Sequence, residues 1–122
     1  MADHAIRLEL RAEPSPLTVA TRDRLRLSVT ATNEGAEVVD PELYRAELRV
    51  NGERSRAFGL AIGNGRRDPK WFALPRGESV SMTFSSLGES VLPGVGEFTL
   101  VLTHDGREAE PVTVSVLPGN DS

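Results

Sequence analysis

The chain has 122 residues, of which 39% are hydrophobic and only 5% aromatic, and its formal net charge is -4. That length suits one domain built around one mainly aliphatic core. The acidic balance and thin aromatic supply argue against a nucleic-acid binder, and the absence of cysteine removes disulfides, thiolate metal sites and thiol catalysis.

The N-terminal stretch has no cationic segment followed by a long apolar run, and no stretch reaches the roughly 20 apolar residues that a bilayer span needs. A soluble, cytoplasmic, single-domain protein over residues 1–122 is expected, with an ordered core from about residue 5 to residue 117.

Alternation with a period of two dominates the chain, which places one set of side chains on a buried face and the other toward solvent. Ala5 to Arg11 alternates Ile6, Leu8 and Leu10 with charged residues and reads as a first strand. Pro14 and Pro16 break its ladder, which leaves Leu17 to Ala20 free to resume pairing on the other sheet. Arg24 to Thr32 is the clearest strand, with Leu25, Leu27, Val29 and Ala31 in phase. Asn33-Glu34-Gly35 ends it as a turn. Ala36 to Glu42 reads as a connection, and Tyr44 to Val50 as a strand with Tyr44, Ala46, Leu48 and Val50 on one face.

Asn51-Gly52 suits a type I′ hairpin, because both residue types tolerate positive φ. Glu53 to Ile62 is expected to return as a strand, bent at Gly59. Gly59 to Trp71 is the least regular internal stretch, with Trp71, Phe72 and Leu74 leading back to the core. After the turn at Pro75-Arg76-Gly77, Glu78 to Ser85 is a strand in which Val80, Met82 and Phe84 alternate with hydroxyl residues. Gly88 to Gly96 is a long connection. Glu97 to Thr103 and Glu108 to Leu117 pair around Asp105-Gly106, with Phe98, Leu100, Leu102, Val112, Val114 and Val116 inward. This gives seven or eight strands and no helix, as expected of an all-β antiparallel sandwich.

Three turn motifs lie at Asn33-Glu34-Gly35, Leu74 to Ser79 and Gly96-Glu97-Phe98. Their order and spacing over residues 22 to 117 resemble bacterial immunoglobulin-like sandwich domains of the cell-adhesion-related (CARDB) type. The resemblance implies an immunoglobulin-like β-sandwich without a catalytic residue. Pro75-Arg76-Gly77-Glu78, the Trp71 ahead of it and the late Gly-aromatic strand also resemble the bacterial intracellular proteinase inhibitor family. Arg76 is an insertion relative to that family's turn. This second resemblance implies an inhibitor that presents a surface loop.

Candidate chemistry is sparse. His104 has no partner at a spacing that suggests catalysis and reads as an exposed turn histidine. His4 would join a square-planar Cu(II) or Ni(II) nitrogen set only if Met1 were removed, so no metal or cofactor is expected. Arg66, Arg67 and Lys70, with Asn64 between two glycines, form the candidate binding residues, a cationic loop able to meet an acidic partner. A solvated loop paired to Glu34, Glu37, Asp40 and Glu42 is the simpler reading. The functional expectation is a non-catalytic module that binds a protein through an edge strand or through the 59–71 loop. The alternative is a protease inhibitor, and neither nucleic acid nor membrane is expected as a partner.

Overall fold

The computed structural model describes residues 6–13, 15–64, 69, 72–85, 87–104 and 106–118. The architecture is that of an all-β sandwich, with two sheets facing each other across an aliphatic core. The strands are β1 (Ile6–Glu13), β2 (Leu17–Thr18), β3 (Arg26–Asn33), β4 (Glu47–Val50), β5 (Glu53–Arg54), β6 (Ser79–Phe84), β7 (Gly96–His104), β8 (Arg107–Glu108) and β9 (Val112–Leu117). One sheet has three strands in the order β1-β3-β6. The other has six, in the order β2-β9-β7-β4-β5, with β8 also pairing β7.

All pairs are antiparallel except β2 with β9, which run parallel. The first strand is thus split. Its early part, β1, lies in the small sheet, and beyond the prolines β2 joins the large one, as the sequence allows. Leu25, Leu27, Val29, Leu48, Val80, Phe98, Leu100, Leu102, Val114 and Val116 are buried as their period predicts, and Ile6, Leu10, Leu17 and Ala31 join them. Among the described residues no helix is long and apolar enough to cross a membrane.

The middle of the chain departs from the expected strands. Only Glu53–Arg54 returns from the hairpin, and Arg56–Asn64 forms an α-helix, α1. Ser55 starts it, its hydroxyl accepting the Phe58 N–H at 3.2 Å as an N-cap side chain does. Phe58 and Ile62, four residues apart, are buried, whereas Leu60 is 66% exposed. A strand would have put all three on one face. The Phe58 ring meets Phe84 edge-on at 5.3 Å between centroids, so α1 plugs the sandwich at the end of β6.

A 3-10 turn over Leu43–Arg45 precedes β4 and turns Leu43 inward, leaving Tyr44 42% exposed. Gly88 to Gly96 contains a short helix, α2 (Gly88–Val91), that packs Val91 and Leu92 inward. A Cβ at Gly88 would overlap the carbonyl of Arg22, in the 3-10 helix Val19–Arg24. Arg22 Nη1 in turn donates to the Leu92 carbonyl at 2.7 Å. Burial of Phe58 and Ile62 in α1 and of Val91 in α2 outweighs the poor local propensity of these helices, since glycine disfavours a helix interior.

Among the described residues Asn33 is the buried polar residue of the core, 1% exposed. Its side-chain amide donates to the carbonyls of Glu37 at 2.7 Å and Leu74 at 2.9 Å, and its Oδ1 accepts the Gly35 N–H at 2.8 Å. Its backbone N–H donates to Glu78 O and its carbonyl accepts from Gly77 N, both at 2.9 Å. Asn33→Ala would strip the Gly35 N–H and the Glu37 carbonyl of this partner and leave the Leu74 carbonyl with the Val39 N–H alone. Chemical denaturation should show a loss of about 3 kcal/mol.

The Asn51-Gly52 turn lies between the paired residues Val50 and Glu53, with φ of 51° and 88°. Both values suit a type I′ turn. A Cβ at Gly52 would meet nothing within 4 Å, so the cost of Gly52→Val is conformational alone. The expected loss is about 2 kcal/mol, read from the denaturation midpoint.

Candidate functional site

Of the four residues that the sequence marks for binding, Arg66, Arg67 and Lys70 lie outside the described residues, as does Trp71, and Asn64 is the last residue of α1. Within the acidic stretch, Glu34 pairs with Arg7 at 3.3 Å and Glu42 with Arg45 at 3.0 Å. Arg54, at the start of the cationic region, approaches Glu47 at 3.9 Å. All of these pairs are exposed and each contributes little to stability.

A groove of about 350 Å³ opens beside Pro41, Glu42, Arg45, Glu47, His104 and Arg107. His104 is half-buried at the end of β7 rather than exposed in a turn. Its Nε2 lies 2.6 Å from the Pro41 carbonyl, which can only accept, so Nε2 carries the proton. Asp40 Oδ1 accepts the Glu42 N–H at 2.9 Å, which holds Glu42 in a left-handed conformation with φ of 52°. Arg107 Nη1 donates to the Ile6 carbonyl at 2.9 Å. His104 thus ties the 40–45 connection to the end of β7, Asp40 shapes that connection from within, and Arg107 ties β8 to β1. Among the described residues no group of three acidic or histidine side chains is placed to hold a metal.

The sheet edges offer a different kind of site. Free edges carry unpaired N–H and C=O groups, which folded proteins blunt with charge, proline, shortness or cover. β2 has two residues and follows Pro16. β5 has two charged residues and runs directly into α1. β1 carries Arg7, Glu9, Arg11 and Glu13, and Arg107 occupies its outward Ile6 carbonyl. Among the described residues β6 has none of these devices. It runs Ser-Val-Ser-Met-Thr-Phe, with no charge, proline or glycine, and among the described strands it pairs only with β3.

The hydrogen-bond parity of that edge follows from Asn33. Asn33 is bonded to Glu78 across the β3–β6 pair, and bonded residues alternate along an antiparallel ladder. Val80, Met82 and Phe84 therefore point their backbone groups at β3, and Ser79, Ser81 and Thr83 point theirs to the open side. On the outer face the same three residues complete a hydroxyl ladder with β3. Ser79 meets Thr32 at 2.7 Å, Ser81 meets Thr30 at 2.9 Å, and Thr83 meets Ser28 at 3.0 Å. On the inner face Met82 and Phe84 remain half-exposed, and no described strand follows β6 to cover them. The sequence shows the hydroxyl stripe, but only the strand order reveals that it borders an edge.

No family model, no curated protein and no solved structure matches this chain.

The parity has a direct readout. In amide hydrogen exchange, Ser79, Ser81 and Thr83 should exchange about 100-fold faster than Val80 and Met82 on the same strand, since only the latter are bonded within the sheet. Equal protection along the strand would mean that something already covers this edge.

Proposed function

We propose that this chain is a non-catalytic interaction module with an immunoglobulin-like sandwich scaffold, and that it takes an extended segment of a protein partner onto the open edge of β6. One observation carries the reading: among the described residues β6 is the long edge strand without charge, proline or cover, while the edges at β1, β2 and β5 are each blunted. In strand addition the backbone groups of the edge supply affinity, and alternate side chains supply selectivity. A strand laid beside β6 would gain the free groups of Ser79, Ser81 and Thr83 and cover the half-exposed Met82 and Phe84. The split of the first strand between the two sheets supports the immunoglobulin-like scaffold. The spent hydrogen-bonding groups around His104 support a structural use of that groove.

The test is a titration of isotopically labelled protein with a short synthetic peptide of alternating threonine and valine. Amide signals of Ser79, Ser81 and Thr83 should shift and gain exchange protection, with β1 and β5 unaffected. Ser81→Pro removes an outward N–H while sparing the bonds to β3, a placement that edge strands tolerate. It should keep the fold and lose the peptide response. Shifts centred on the 59–71 segment, with β6 silent, would overturn the edge reading.

A further inference from the structure

The polarity of β6 is symmetric about its third residue. Ser81 is flanked by Val80 and Met82, and these by Ser79 and Thr83. We infer that the strand which fits this edge is β6 of a second copy of the chain, antiparallel and related by a two-fold axis through Ser81. This deepens the edge-docking reading and rests on it.

Faces restrict the possible registers. Directly opposite residues in an antiparallel pair lie on the same face, so hydroxyl residues must meet hydroxyl residues to keep Val80 and Met82 inward. With the axis on Ser81, Ser81 faces its own copy and Ser79 faces Thr83 of the second copy. All the outward N–H and C=O groups of Ser79, Ser81 and Thr83 then find partners. Moving the axis to Met82 would pair Ser79 with Ser85, beyond the end of the strand. On the inner face Val80 meets Met82 of the second copy, which covers the half-exposed Met82. On the outer face the hydroxyl row on β3 and β6 continues into the second copy's row.

Charge agrees with this choice. No ionised side chain lies within Ser79–Phe84, so no like charges meet across the axis. The main electrostatic cost is the repulsion between two chains of net charge -4. The association should therefore tighten as salt rises, opposite to a pairing driven by complementary charge. Six-residue strands make a small contact, so this dimer belongs to the weak class.

The chain has no cysteine, so Ser81→Cys places a single thiol at the axis. Bonded antiparallel pairs hold their Cα atoms about 5.5 Å apart, within disulfide reach. The thiols of Ser79→Cys would sit on Cα atoms about 14 Å apart, four residues out of register, and could not bridge. Mild oxidation should link Ser81→Cys into a covalent dimer and leave Ser79→Cys monomeric. In sedimentation up to about 1 mM the unmodified chain should form a reversible dimer that strengthens with salt. Ser81→Glu and Ser81→Lys, both exposed changes, should each weaken it by roughly tenfold through like charges at the axis, and mixing the two should restore association. A chain that stays monomeric throughout, a Ser79→Cys protein that links as readily as Ser81→Cys, or charge variants that associate no better when mixed would overturn the second-copy proposal. If that happens while the threonine–valine peptide still shifts Ser79, Ser81 and Thr83, the edge remains a docking site for a different strand. If the peptide is silent too, both readings fall.

Discussion

Asn33 is the constraint on which much of the rest depends. At the end of β3 the chain must leave the small sheet and cross to the large one, and a crossing through a core exposes backbone groups that need partners. One side-chain amide meets that need for segments far apart in sequence, at Gly35, Glu37 and Leu74. Its backbone meanwhile fixes where β6 begins, through Gly77 and Glu78. Because bonded positions alternate from that point, Asn33 also decides which residues of β6 look outward. A buried polar residue chosen for packing thus sets the chemistry of an edge on the surface.

The strands were legible because burial on one face writes a period of two into the sequence, and β3, β7 and β9 show it with little interruption. The segment from Glu53 to Asn64 was not. Phe58, Leu60 and Ile62 satisfy a strand as well as they satisfy a helix, and Gly59 and Gly63 argue against the helix. The Phe58–Ile62 spacing and Ser55 ahead of it were the available helix signals. Contact of Phe58 with Phe84, which is tertiary, decides between them. Tyr44 leaves the inward face for a related reason. The left-handed Glu42 and the turn after it rotate the chain before β4 begins, and Leu43 takes the inward place.

The candidate site was half legible. The row of Ser79, Ser81 and Thr83 is visible as alternation, and by itself it is the ordinary outer face of a half-exposed sheet. Its meaning comes from strand order, which a single sequence does not encode locally. Charge in the 59–71 segment is plain in the sequence. The uncharged edge is defined by what it lacks, and that lack becomes informative only beside the protected edges of β1, β2 and β5.

The parallel pairing of β2 with β9 bears on how the domain would respond to mechanical load. Leu17 and Thr18 lie beside Val116 and Leu117, close to where the chain leaves the last strand. Tension applied from the two ends pulls these neighbours in opposite directions along their common axis. Their hydrogen bonds are then stretched together, in shear, instead of opening one at a time like a zipper. The split first strand is therefore a clasp as well as a packing device. Load entering at the N-terminus meets the β1–β3 ladder first, and this two-residue patch is the next contact to bear it, in shear.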